Sequence, residues 1–77
     1  MRKIFVTNIP SSVTVTDLEN EFDNFGTIVE AERLNDPTGA PYGTVEYDND
    51  DSAPAAIAAK HNTQCWGQII SVQEYAV

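Results

Sequence analysis

Cys65 and His61 are the side chains of this sequence best suited to nucleophilic or acid–base chemistry. They are its single cysteine and its single histidine, and they stand close together in the chain. An activated cysteine needs a base and a third group that orients this base, and the sequence shows no such group nearby. We therefore predict that His61 is a surface loop residue and that Cys65 is half-buried and inert.

Carboxylates are the other groups that could do chemistry, and three of them lie in the run DNDD at residues 48–51. This run lacks the ligand spacing of a calcium-binding loop, and its Asp and Asn residues are typical of turns and helix starts. A lone cysteine excludes an internal disulfide and a cysteine-based metal cluster. These patterns predict a binding protein rather than an enzyme, with no metal and no cofactor.

The net charge of −8 is the least expected property of the chain. Its four basic residues are Arg2, Lys3, Arg33 and Lys60. Nucleic-acid binders usually carry a basic face, because neutralised phosphates supply most of their affinity. Three interpretations stay open: an acidic surface that aids solubility, a domain that repels polyanions and binds something else, or basic segments outside this stretch.

The length of 77 residues allows one domain, and a hydrophobic fraction of 42% favours a folded one. No apolar run approaches the roughly 20 residues that cross a bilayer, and the N-terminus lacks the pattern of a signal peptide. We predict that residues 1–77 form a single monomeric domain of a longer intracellular protein, without a membrane partner.

The first helix has the clearest signals. Thr14 and Asp17 fit a capping box, with Thr14 as the N-cap. Leu18, Phe22 and Phe25 then recur at helical spacing, so we expect them to face the core.

The remaining elements follow from strand-forming runs, turn residues and an alanine-rich segment. Gly26 is predicted to end the first helix, and residues 61–68 are predicted to be a loop. The order is β-α-β-β-α-β, an α/β sandwich of the ferredoxin-like plan, with a four-stranded antiparallel sheet and two helices on one face. The predicted strands are residues 4–9, 27–34, 41–47 and 69–75, and the predicted second helix is residues 53–60.

Two segments give this order a family resemblance. The first strand reads IFVTNI (residues 4–9) and the third reads APYGTVEY (residues 40–47). They resemble the hexamer and the octamer of the RNA recognition motif family, and the resemblance covers nearly the whole chain. The hexamer matches fully. The octamer departs at Ala40, where the family has a basic residue, at Pro41, where it has glycine, and at Thr44, where it has an aromatic residue.

The resemblance implies a binding site for single-stranded RNA on the face of the sheet opposite the helices. Side chains alternate along a strand, so Phe5 and Tyr42 are expected on this open face, where aromatic rings stack unpaired bases. Glu30 and Glu32 are expected on the same face. The secondary RNA contacts implied by the resemblance are Asn8, Thr44, Ser71, Gln73 and Tyr75.

Two functions remain open at this point. The first is recognition of short single-stranded RNA, weak in the isolated domain and only slightly salt-dependent, in the nucleus or the cytoplasm, with the resemblance favouring the nucleus. The second is a protein-interaction module that holds a basic partner through the acidic face of the first helix with Glu19 and Asp23, through Trp66, or through the sheet itself. Trp66 is also explained as a loop anchor. Some family members bind peptides through Arg-x-Phe in this loop, but residues 63–65 here read TQC.

Overall fold

The computed structural model describes residues 2–75 and confirms the predicted α/β sandwich. The elements are β1 (Lys3–Thr7), α1 (Val15–Phe22), a 3₁₀ turn (Asp23–Phe25), β2 (Ile28–Asn35), β3 (Pro41–Tyr47), α2 (Ser52–Lys60), β4 (Gln64–Cys65), β5 (Gln68–Ile69) and β6 (Ser71–Glu74). One antiparallel sheet has the strand order β2-β3-β1-β6, and a small second sheet pairs β4 with β5. No helix in residues 2–75 is long and apolar enough to cross a bilayer.

The core lies between one face of the four-stranded sheet and the two helices. Alternate residues of the strands are buried there, because successive side chains point to opposite faces of a sheet. Tyr47 is fully buried and donates its hydroxyl to the carbonyl oxygen of Phe22 at 2.7 Å, and burial raises the pKa of this phenol. The side chains with no exposed surface are Ile4, Val6, Leu18, Phe22, Val45, Tyr47, Ala56, Ile70 and Val72.

Helix α1 begins with the predicted capping box. The Thr14 hydroxyl accepts from the Asp17 backbone N–H at 3.2 Å, and the Asp17 carboxylate accepts from the Thr14 N–H at 3.0 Å. Leu18 then packs on β3 at Gly43, where a Cβ would lie 2.5 Å from Leu18 Cδ1. Glycine at this position therefore lets the helix approach the strand that carries Tyr42 and Thr44.

The structure differs from the sequence prediction at the end of α1. The helix ends at Phe22 and continues as the 3₁₀ turn before Gly26. A Cβ on Gly26 would overlap the Ser52 side chain at the start of α2. Glycine is needed at position 26 because the backbone there passes close to the Ser52 side chain.

The structure also corrects the prediction that residues 61–68 are entirely loop. Strands β4 and β5 form a hairpin whose two turn residues, Trp66 and Gly67, have φ of 52° and 82°. Such a turn matches the twist of a hairpin, although non-glycine residues seldom adopt positive φ. The predicted last strand is consequently divided, because Ile69 pairs with Gln64 and the main sheet resumes at Ser71.

An ion pair joins α1 to the end of α2. Lys60 Nζ lies 2.6 Å from Glu21 Oε1, and the Cys65 thiol donates to the same oxygen at 3.4 Å. The hydrogen bond from Lys60 lowers the pKa of the Glu21 carboxyl, while burial raises the pKa of the Cys65 thiol.

The ion pair predicts a pH-dependent contribution to stability. The Glu21 pKa is lower in the folded than in the unfolded chain, so the contribution is present above the ordinary glutamate pKa and is lost as the pH falls below it. We expect Glu21→Gln to lower the free energy of unfolding by less than about 1 kcal/mol near neutral pH. In urea titrations this difference should shrink between about pH 5 and pH 3.

Glu19→Gln is the matched control, since it makes the same charge change at an exposed position of α1. We expect it to cost less stability near neutral pH than Glu21→Gln. A Glu21→Gln difference that stays constant down to low pH would contradict the role assigned to the ion pair.

Candidate nucleic-acid interface

The side of the sheet away from the helices forms a continuous surface, which we call the open face. Its members follow from the strand register: Thr44 of β3 lies opposite both Phe5 of β1 and Glu32 of β2, and Phe5 also lies opposite Gln73 of β6. Its residues are Lys3, Phe5 and Thr7 of β1, Glu30, Glu32 and Leu34 of β2, Tyr42, Thr44 and Glu46 of β3, Ser71 and Gln73 of β6, and Tyr75.

Three aromatic rings occupy the middle of the open face, and we call them the aromatic platform: Phe5, Tyr42 and Tyr75. The centroids of Phe5 and Tyr42 are 5.0 Å apart at 52°, and those of Phe5 and Tyr75 are 6.2 Å apart at 64°. All three side chains are half-buried. The sequence predicted Tyr75 as a polar contact, whereas the structure places its ring beside Phe5. Tyr75 thus supplies a third ring although Thr44 occupies the family's aromatic position.

Thr44 lies on the open face, as the alternation predicted, and little of its surface is exposed. Its register partners Phe5 and Glu32 stand on either side of it, and Tyr42 and Glu46 precede and follow it along the strand. Only 3% of its surface is exposed. Longer side chains surround this short one, and its role as an RNA contact stays a prediction.

Asn8 has a positioning role that the sequence did not indicate. It follows β1 directly and has φ of 60°, a conformation that asparagine tolerates better than most residues. Its Nδ2 donates to the carbonyl oxygen of Ile69 at 2.6 Å, and Gln68 Nε2 donates to the Asn8 carbonyl oxygen at 2.8 Å. These bonds fix β5 against the end of β1, so the Asn8 amide is already engaged within the domain.

Strand β6 presents Ser71 and Gln73 to the open face, as predicted from the alternation. Ser71 is half-buried and Gln73 is exposed. Between them, the Val72 N–H donates to His61 Nδ1 at 3.1 Å, so the His61 side chain covers part of this edge of the sheet. His61 is exposed, as predicted, and it also helps to position β6.

The β2 end of the open face is acidic. Glu30 lies opposite Glu46, and Glu32 lies opposite Thr44. Both Glu30 and Glu32 are exposed, which confirms their predicted orientation. A bulge falls at Val29, before these residues, and therefore leaves their alternation intact. Three carboxylates thus disfavour phosphate at this end of the face.

Arg33 does not serve the open face. It is the register partner of Gly43 and points toward the helix side. Its Nε donates to the Val13 carbonyl at 3.1 Å and its Nη2 to the Ser11 carbonyl at 2.9 Å. The guanidinium therefore holds the loop between β1 and α1 against β2.

The three other basic side chains are also engaged. Lys60 pairs with Glu21, and Arg2 Nε lies 3.3 Å from Asp50 Oδ1 in an exposed pair. Lys3 Nζ lies 4.7 Å from the centre of the Tyr75 ring, close enough for a cation–π contact. Phosphate contacts would therefore draw at most on the exposed Arg2 pair and on Lys3.

The sequence of the chain matches one known protein family over most of its length. The sequence profile described as RNA recognition motif matches residues 4–71. The chain belongs to this family. RNA recognition motifs are nucleic-acid-binding and not enzymatic domains. Within residues 2–75, no three His, Cys, Asp or Glu side chains converge as a metal site requires.

Individual relatives agree with this assignment. Polyadenylate-binding protein 7 of Arabidopsis thaliana is 39% identical over 62 residues, 78% of this chain and 10% of that protein. The SR-type shuttling mRNA binding protein HRB1 of Saccharomyces cerevisiae is 40% identical over 63 residues, 79% and 14% of the two chains. The chain therefore spans only about a tenth of such relatives.

A solved Sxl-lethal protein/RNA complex is similar to this RNA recognition motif in three dimensions. Its TM-score is 0.81 at 34% identity, over 94% of this chain and 46% of that one.

The predicted protein contacts of this RNA recognition motif lie away from the platform. Trp66 is half-buried and packs against the core, which favours its interpretation as a loop anchor. Glu19 of α1 and Asp23 of the following 3₁₀ turn are exposed and line a shallow polar hollow that also includes Ile28.

Proposed function

We propose that this RNA recognition motif binds short single-stranded RNA on its open face. The observation that carries the proposal is the pair of rings, Phe5 and Tyr42, whose centroids lie 5.0 Å apart on a sheet face that no helix or strand within residues 2–75 covers. Adjacent rings of this kind offer stacking positions to unpaired bases. The names of the relatives, a polyadenylate-binding protein and an mRNA binding protein, support an RNA ligand.

Stacking supplies the main attraction in this proposal. Two bases on Phe5 and Tyr42 contribute about 2–6 kcal/mol together, which corresponds to dissociation constants of roughly tens of micromolar or weaker. Tyr75, Ser71 and Gln73 add contacts beside them. The domain therefore binds weakly alone, and we propose that it serves as one module of a longer intracellular protein.

The direct test of this function is fluorescence anisotropy with a labelled random-sequence hexamer at low salt. We expect the single-stranded hexamer to bind and a duplex of the same length to bind far more weakly, because paired bases cannot reach the rings. Equal binding of both forms, or binding of neither at millimolar protein, would contradict the proposal.

We also predict that RNA affinity depends only weakly on salt concentration. Few basic side chains of this domain can neutralise phosphates and so release the counterions bound to RNA. With at most two cations, Arg2 and Lys3, contacting phosphate, affinity for a single strand should fall less than roughly tenfold between about 50 mM and about 200 mM salt. The measurement is a series of hexamer titrations across this range.

Lys3→Gln provides an internal check on that series. It should reduce the slope of log affinity against log salt concentration by roughly 0.7, because one phosphate contact is lost. A fall in affinity of a hundredfold or more across the same range would show that phosphate contacts, and not stacking, dominate.

A second candidate function is capture of a basic protein segment by the outer side of α1. It is favoured by the shared hollow of Glu19 and Asp23 on a chain of net charge −8. The variant Glu19→Gln with Asp23→Asn separates the two functions. Capture by α1 predicts weaker binding of an arginine-rich peptide and unchanged binding of the RNA hexamer.

A further inference from the structure

The hydroxyl of Thr44 is a polar group without a partner among residues 2–75. The residue is 97% buried, yet no side chain or backbone group within residues 2–75 bonds to Oγ1. Buried hydroxyls normally find a hydrogen-bond partner. No completely covered side-chain oxygen in the described residues lacks one, so Thr44 Oγ1 retains a small accessible area on the open face. A partner from outside the domain can reach it there.

Glu32 is the neighbouring polar group. It lies directly opposite Thr44 on β2 and is exposed, and no hydrogen bond or ion pair engages its carboxylate within residues 2–75. Opposite side chains on neighbouring strands start about 5 Å apart. On the other side of Thr44 stands Phe5. The cross-strand row thus runs from an aromatic ring, across a hydroxyl that can donate or accept, to a carboxylate that only accepts.

We propose that Thr44 and Glu32 read the edge of the base that stacks on the aromatic platform, and that they favour bases with an exocyclic amino group over uracil. This inference rests on the proposed function and names the base chemistry it selects. A base stacked at Phe5 extends over Thr44 toward Glu32. The Glu32 carboxylate accepts from the amino group, and the Thr44 hydroxyl bonds to the ring atom beside it.

The chemistry of the four bases decides the preference. Cytosine and adenine each present an amino donor next to a ring-nitrogen acceptor, which suits an accepting carboxylate beside a donating hydroxyl. Guanine presents a ring N–H next to an amino group, and a carboxylate can accept from both. Uracil presents one N–H between two carbonyl oxygens, so a carboxylate facing this edge is repelled by at least one of them.

A purely repulsive role for the carboxylates makes a different prediction. Glu30 stands on the same strand and the same face, is also exposed, and has Glu46 in place of a hydroxyl opposite it. Repulsion of phosphate would make Glu30 and Glu32 equivalent, because each carries one charge. If Glu32 reads the base edge, only Glu32, and not Glu30, contributes to the preference for amino-bearing bases over uracil. Glu30→Gln is therefore the matched control for Glu32→Gln.

The test compares hexacytidylate, hexaadenylate and hexauridylate in titrations of the full 77-residue chain. We expect the uridine hexamer to bind roughly tenfold more weakly than the other two. Glu32→Gln should reduce this ratio below roughly threefold, because a glutamine amide can also donate to uracil carbonyls. Glu30→Gln should leave the ratio unchanged. Thr44→Val, which removes the hydroxyl and keeps the shape, should also reduce it.

Each outcome bears on the inference. Equal binding of the three hexamers, or equal effects of Glu30→Gln and Glu32→Gln on the ratio, would overturn base reading while leaving RNA binding in place. Binding of no hexamer would overturn the proposed function and this inference together. If Thr44→Val fails to fold, the comparison of Glu32→Gln with Glu30→Gln still tests base reading, because both residues are exposed.

Discussion

Replacing Phe5 and Tyr42 together with alanine should abolish measurable binding of single-stranded RNA while the domain stays folded. Each lost stacking contact costs about 1–3 kcal/mol, so affinity should fall at least roughly thirtyfold. Both rings are half-buried on the open face and lie outside the buried core cluster. The measurements are anisotropy with the labelled hexamer and a urea titration of the same variant.

Ile69→Ala is the control for this pair. Ile69 is 52% exposed, is apolar, and belongs to β5 outside the open face. Its truncation should leave RNA affinity within about twofold, because it removes no stacking position. Retained binding in a folded Phe5→Ala, Tyr42→Ala variant would show that RNA, if it binds, uses another surface.

Leu18→Ala should strongly destabilise the domain. Leu18 has no exposed surface and packs against β3 at Gly43, directly behind the strand that carries Tyr42. Truncating a buried leucine costs about 2–5 kcal/mol, since transfer and cavity contributions add. That is a large share of the stability of so small a domain.

Val15→Ala tests whether position, and not hydrophobicity alone, determines that loss. Val15 belongs to the same helix but is 37% exposed. We expect it to change the free energy of unfolding by less than about 1 kcal/mol, as judged by urea denaturation. Similar losses for the two variants would contradict the packing described for α1.

An acidic chain can still have RNA as its ligand in this account because stacking does not depend on net charge. The three carboxylates lie on β2 and β3, whereas Phe5 and Lys3 lie on β1 and Tyr75 follows β6. Repulsion would keep the phosphates away from β2 while leaving the bases free to reach the rings. The small number of basic residues then weakens the binding of RNA but leaves the binding site on the open face.

The order of the elements and the face of the platform were predictable from the sequence, because both follow from short-range patterns. The alternation in β1 and β3 placed Phe5 and Tyr42 on one face, and the capping box fixed the start of α1. The orientation of Glu30 and Glu32 was predictable for the same reason.

The remaining features depend on contacts between residues distant in the chain. Burial of Thr44 is imposed by side chains on two neighbouring strands, and the approach of Tyr75 to Phe5 depends on the register of β6. The hairpin at Trp66 and Gly67 was missed because a tryptophan seldom occupies a turn position with positive φ. No local pattern indicated that Arg33 would bond to carbonyls about 20 residues away.

Backbone amide shifts measured by NMR during titration with a random single-stranded RNA hexamer test the central claim most directly. We predict shifts clustered at Phe5, Tyr42 and the Ser71–Glu74 strand, with α1 unaffected. Shifts confined to the outer side of α1, near Glu19 and Asp23, or no shifts at millimolar RNA, would contradict binding at the open face.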